Sequence, residues 1–307
     1  MGVELAGRMA GLKSEGAFAV LDKAKALEAQ GKHIIHLEIG EPDFATPTHI
    51  VEAGIAALQS GATRYTPFAG LPELRAAIAE DAGRRRGMEF TAEEVVVTPG
   101  AKPILFFSLL ALVNPGDEVI YPEPGFPTYE SVISFLGAKP VPIPLREEHD
   151  FVFDLDALRA AVGPRTRMLI LNSPQNPTGG MLGRTDLETV AELARRHDCW
   201  LLSDEIYGRI VYEGEHVSVA SLPGMRQRTV VLDGFSKTYA MTGWRLGYGI
   251  MPEQLAEQVA RLMLNSASCT AGFTQHAGIA ALTGLQMPVV AMLAEFRARR
   301  ELVVNGL

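Results

Sequence analysis

Seven short runs of apolar and β-branched residues, each closed by turn residues, limit the folds open to this 307-residue chain more than any other feature. They are HIIHLEI from 33, EVVVT from 94, DEVIYP from 117, RMLILN from 167, CWLLSDE from 199, TVVLDG from 229 and RLGYGI from 245. Their length and composition predict strands. Helical patterns separate most of them, near 47–60, 71–86, 103–113, 126–136, 184–197, 252–264 and 271–284. Strands apolar on both sides need cover on both sides, so the alternation predicts a mostly parallel sheet flanked by helices, an α/β fold.

With 47% hydrophobic residues the chain has enough apolar material for one large domain and part of a second. The net charge of -8 sets the surface against nucleic acid, and Arg84, Arg85 and Arg86, which close a helical pattern at Gly87, read as a basic helix C-terminus. Cys199 and Cys269 lie in apolar stretches without metal-ligand spacing, which predicts a reduced, cytoplasmic protein. The longest apolar stretch, Ile104 to Val113, is too short to span a bilayer, so no membrane partner is expected. His33 and His36 would lie on opposite faces of a strand, and no HExxH pattern exists, so no metal site is expected.

Sheets of this class bind ligands where loops leave the carboxyl ends of the strands. Four such ends carry polar groups: Gly100 to Lys102, Asn172 to Gly180, Asp204 to Tyr207, and Ser236 with Lys237. A purely structural protein has little reason to load them.

The stretch GFSKTYAMTGWRLG, 234–247, places Lys237 after an apolar strand and Arg245 eight residues on. A single lysine there is ordinarily a solvated loop residue, and no GxxxxGK[ST] spacing supports a nucleotide loop. The whole stretch, however, resembles the cofactor-lysine signature of class I/II aminotransferases, pyridoxal-phosphate (PLP) enzymes of fold type I. The resemblance implies that Lys237 forms the internal aldimine, a Schiff base with the cofactor, and later shuttles protons. It implies that Arg245 grips the phosphate as a planar fork. Gly234 stands where relatives often carry a phosphate-binding serine, so that contact is either lost or passes to Ser236.

Other motifs extend the likeness. In LLSDEIYG, Asp204 and Glu205 alone would read as acids capping a helix. The resemblance instead puts Asp204 under the pyridine nitrogen, where it keeps the ring an electron sink, and Tyr207 at the phenolic oxygen. NSPQNPTGG, 172–180, reads locally as a rigid turn, and by resemblance as the loop whose Asn176 donates to that same oxygen. In PGAKP, Gly100 permits a tight turn and the amides of Ala101 and Lys102 open a helix, an anion site where the family cradles phosphate. Phe126, otherwise a core residue, stands where relatives stack an aromatic ring on the cofactor. GEPDFATP, with Gly40, resembles the substrate loop, and TRYTPFAGLPELR the segment whose tyrosine, Tyr65 here, crosses a homodimer interface to the partner's phosphate.

The implied function is ping-pong transfer of an amino group between an L-amino acid and a 2-oxo acid. A PLP-dependent lyase or synthase on the same scaffold is the alternative; a PLP-binding sensor half of a transcription regulator fits poorly with an acidic chain whose likeness starts near residue 34. The implied division is an N-terminal arm or part of the small domain over 1–45, a large cofactor-binding domain over 46–285, and the start of a small domain over 286–307. From 288 to 303 an amphipathic helix is expected, with Val289, Val290, Leu293, Phe296, Leu302 and Val303 as its apolar stripe and Arg297, Arg299, Arg300 and Glu301 as its polar face. The family's carboxylate-gripping arginine lies in a C-terminal segment beyond that helix, so a chain ending here is expected to bind cofactor but transaminate poorly.

Overall fold

A computed structural model of the chain describes residues 4–13 and 15–307. Its center is one seven-stranded sheet built from β1 (Val95–Thr98), β2 (Glu118–Glu123), β3 (Lys139–Pro144), β4 (Thr166–Asn172), β5 (Trp200–Asp204), β6 (Thr229–Gly234) and β7 (Gly247–Ile250). The strands lie in the order β1-β7-β6-β5-β4-β2-β3. β7 runs antiparallel to both of its neighbours, and every other pairing is parallel.

The expected strand at 33–39 does not form. That segment leaves α1 (Gly16–Glu28) as extended chain with no ladder partner, and Ile35 and Leu37 are exposed. His36 instead bridges Glu28 at 2.9 Å and Glu38 at 2.6 Å, so the two histidines do not occupy opposite faces of a strand. In its place the sheet gains β3, whose prolines had masked it. Pro140, Pro142 and Pro144 alternate, so their missing donors all face the open edge, while Lys139 and Leu145 donate inward to Asp117 and Glu123 at 2.8 and 2.7 Å.

Alternate residues of the strands feed opposite faces. Val119, Met168, Ile170, Leu202 and Leu232 pack under α4 (Lys102–Leu112), α5 (Thr128–Phe135) and α8 (Glu253–Ala267). Ile120, Leu169, Leu171 and Leu201 pack against α6 (Leu155–Ala161) and α7 (Arg184–Arg196), and Val95, Val97, Val231 and Ile250 against α2 (Thr48–Gln59), α3 (Pro72–Arg86) and α9 (Gly272–Thr283).

The arginine run closes α3 as expected, but two of its members turn inward. Arg86 is buried, donating to Glu205 at 2.9 Å and Asp233 at 3.2 Å, and Arg85 reaches Asp233 at 2.9 Å. The charges pin α3 to the ends of β5 and β6. The helix expected at 288–303 is α10 (Met287–Gly306), but its two faces do not behave as the stripe suggested. Phe296 meets Phe44 edge-on at 5.1 Å, while Arg299 of the polar face holds Asp43 at 2.8 Å and Arg300 holds Glu213 at 3.3 Å; Leu302 and Val303 are exposed. Among the described residues, no single helix is long and apolar enough to cross a membrane.

Candidate active site

The loaded strand ends open on one cleft of about 640 Å³. One end of it is shaped for an anion. Gly100 takes φ 86°, and a Cβ there would lie 2.1 Å from Nη2 of Arg245. A Cβ on Gly247 would lie 2.3 Å from the amide nitrogen of Ala101. Only glycines let the loop rest against β7 with the guanidinium beside it. Arg245 itself has left-handed backbone, φ 52°, and its Nη1 donates to the Thr242 carbonyl at 2.8 Å. Ala101 and Lys102 begin α4, so amides at a helix N-terminus face the same space. Ser236 lines this cleft too.

The far end carries an acid. Asp204 ends β5 with 7% of its surface exposed, and its Oδ2 accepts from the Tyr129 hydroxyl at 2.7 Å. Burial pushes its pKa up to about 6, against the hydrogen bonds from Tyr129 and the Ile206 amide. A carboxylate held in so little water is suited to a cation placed directly against it. Tyr207 lies beside it; burial, then the nearness of Asp204, raise its phenol to about 12, so it stays a donor.

Lys237 emerges from the end of β6, the strand next to β5. Its Nζ donates to the Gly40 carbonyl at 2.5 Å and lies 6.0 Å from the Tyr207 ring centroid. Burial lowers its pKa, opposed by Glu41 and reinforced by Arg245, so the amine releases its proton more readily than an ordinary lysine. Asn176 faces the cleft because Asn172 brackets its loop. The Asn172 Oδ1 accepts from the Asn176 amide at 2.8 Å, and its Nδ2 donates to the Asp204 carbonyl at 3.2 Å. Phe126 forms a wall, edge-on to Tyr129 at 5.7 Å.

Thus one cleft gathers Lys237, Asp204, Tyr207, Asn176, Arg245 and Ser236, with Ala101, Lys102, Phe126 and Gly40 around them and Gly100 shaping the anion end. Tyr65 is not among them; it is 88% exposed and lines no part of this cleft. Sequence reading placed Asn172 at a loaded strand end without giving it a role, and missed Tyr129, which like Asn172 acts through its neighbours, and the carboxylates Glu15, Glu38 and Glu41 of the N-terminal segment. Glu41 was within reach, since it follows Gly40 in a flagged motif; Glu15 carries no local signal. The donor set fits PLP: an amide and guanidinium cradle for a phosphate, a buried acid for a ring nitrogen, and an amine of lowered pKa for an aldehyde.

The sequence pattern described as "Aminotransferase class I and II" matches residues 32–307. An arginine–pyruvate transaminase of Pseudomonas aeruginosa is 44% identical over 93% of this chain and 72% of its own length. An aspartate aminotransferase of Geobacillus stearothermophilus is 38% identical over 99% of this chain and 78% of its own. The crystal structure of Thermus thermophilus aspartate aminotransferase with maleate superposes with a TM-score of 0.95 at 39% identity, covering 100% of this chain and 80% of that one.

Proposed function

Because this chain belongs to the class I and II aminotransferases, PLP-dependent enzymes that pass an amino group from an amino acid to a 2-oxo acid, we propose that the cleft at the ends of β4, β5 and β6 is where it does so. One observation carries the assignment: a buried carboxylate and an amine of lowered pKa leave adjacent strands into a cleft that ends in an anion cradle.

In this reading the amides of Ala101 and Lys102, the Ser236 hydroxyl and the Arg245 guanidinium hold the phosphate. Phe126 stacks on the ring, and Asn176 and Tyr207 donate to its phenolic oxygen. Asp204 keeps the proton on the ring nitrogen. When bound, the cofactor supplies a carbonyl carbon for the incoming amine and a ring that withdraws electrons from the substrate's α-carbon. Lys237 would hold the cofactor and, once an amino acid takes its place there, would be the base that takes the proton from Cα and the acid that gives it back. Its depressed pKa suits both duties, since the neutral amine is the form that attacks and the form that accepts. Gly40 borders the substrate's side of the cleft, its carbonyl already in reach of Nζ.

We further propose a homodimer in which Tyr65 reaches the partner's phosphate; its exposure and its absence from the lining of its own cleft support this. Residues 46–285 would be the cofactor-binding body, with 1–45 an N-terminal arm or part of the small domain and 286–307 the start of that domain, a division supported by the Asp43–Arg299 and Phe44–Phe296 contacts between the two flanks. A cytoplasmic location is supported by two cysteines left free, one buried and one half-buried. The test is to add single amino acids to the holoenzyme without a 2-oxo acid. The cofactor's absorption should convert from its aldehyde to its amine form with one 2-oxo acid released per site. Release of ammonia or a side-chain fragment instead would mark a lyase.

A further inference from the structure

Glu15 and Lys102 form an ion pair inside the cleft, against the wall that Phe126 makes. Lys102 Nζ lies 5.0 Å from the Phe126 ring centroid. Glu15 Oε1 accepts from both Lys102 and the Thr128 hydroxyl, the latter at 3.0 Å. Among the described residues no donor reaches its Oε2. Glu41 accepts from the Thr242 hydroxyl through one oxygen at 2.9 Å, and Glu38 from His36 through one at 2.6 Å.

The other cleft charges are committed once the cofactor is in place: Arg245 to the phosphate, Asp204 to the ring nitrogen and Lys237 to the carbonyl. For the substrate's side chain there remain one cation, Lys102, and three carboxylates, Glu15, Glu41 and Glu38, the last already bridged by His36. Alone, Lys102 would attract a side-chain carboxylate. Paired with Glu15 it is neutralised, and the surplus repels an anion and attracts a cation.

We propose that the cleft selects an amino donor with a cationic side chain, a guanidinium or an ammonium, and that Glu15 determines this preference. The proposal rests on the transaminase reading above. The unshared carboxylate oxygen of Glu15 offers a cation a charge-assisted hydrogen bond.

The holoenzyme should be assayed with L-arginine, L-lysine, L-alanine and L-aspartate as donors. Equilibrium binding of 5-guanidinopentanoate and glutarate, which lack an α-amino group, should be followed by their perturbation of cofactor absorption. Arginine or lysine should exceed aspartate in kcat/KM by roughly tenfold or more, and the guanidino acid should bind more tightly than the diacid, the scale of a hydrogen bond to a charged group. Glu15→Gln should cut the arginine-to-aspartate ratio by about tenfold, whereas Lys102→Met should widen it. A preference for aspartate, or a ratio that Glu15→Gln leaves unmoved, overturns the proposal while leaving the transaminase reading standing. Failure of every donor to convert the cofactor overturns that reading, and the two binding probes then still decide whether the cleft prefers a cation.

Discussion

The hydroxyl of Tyr129 donates to Oδ2 of Asp204 across 2.7 Å, in a part of the core where the tyrosine is wholly buried. That bond holds the carboxylate's orientation and stabilises its charge where burial disfavours it. It makes Tyr129 a positioning residue for the ring nitrogen's partner.

Tyr129→Phe keeps the ring and deletes the donor. Losing a hydrogen bond to a charged group weakens cofactor binding by about tenfold or more. The acid limb of binding should also move to higher pH, because the bond depresses the Asp204 pKa and its removal lets the value rise above about 6. Titrating cofactor into the variant across pH tests both; an unmoved acid limb would show that the tyrosine only fills space.

For Asp204→Asn the expected loss of turnover is on the order of 10³-fold, since the ring nitrogen no longer has an anion against it. Stability moves the other way in cofactor-free protein. The folded pKa of about 6 lies above the ordinary 3.8, so the contribution of Asp204 is fully present below the ordinary value and is lost as pH rises through the folded one. At pH near 8 the buried charge costs about 3 kcal/mol. Urea unfolding should therefore find the asparagine variant more stable than the parent near pH 8, with the difference gone once the pH is well below the ordinary value of 3.8.

Arg86 sits between Glu205 and Asp233 with 8% of its surface exposed. Arg86→Met should destabilise the fold by about 3–5 kcal/mol, because buried Glu205 loses its guanidinium partner and buried Asp233 is left with Arg85 alone. Arg84, whose pair with Asp81 is largely solvated on the arginine side, should cost under about 1 kcal/mol when changed to alanine. Equal midpoints in denaturant for the two variants would refute the difference.

These residues also mark the limit of what was legible beforehand. Runs such as VVVT and RMLILN declared their strands because both faces are buried, and the polar ends of those strands declared the site. HIIHLEI looked the same but has no neighbour to pair with, and pairing is not a local property. β3 was hidden by prolines that only an edge tolerates. Tyr129 and Arg86 looked ordinary because their partners are distant in sequence, brought close by the sheet order.

Lys237→Ala should abolish the borohydride-trappable link to the cofactor and leave the fold intact, since Lys237 occupies a strand-end loop and is only half-buried. Mass spectrometry of the reduced protein locates the adduct. Its appearance on another lysine would remove Lys237 from its role.

If Tyr65 serves a partner's cleft, mixing Lys237→Ala chains with inactive Tyr65→Phe chains should restore activity, because one of the two sites in each hybrid is free of both lesions. No recovery in hybrids shown to form would place Tyr65 with its own chain.

Asp204 is paired in register with Asn172 on one side and Leu232 on the other. The spacing of acid and bracket is thus written into backbone ladders that no side-chain change can stretch, and the amine follows three residues after the strand that closes the register on the other side. Glu15, Glu38 and Glu41 belong to no ladder; they stand on a segment draped over the cleft from outside the sheet. Chemistry and choice of substrate are therefore inherited separately: drift in the draped segment can retarget the enzyme to a new amino acid while the reaction it performs stays fixed.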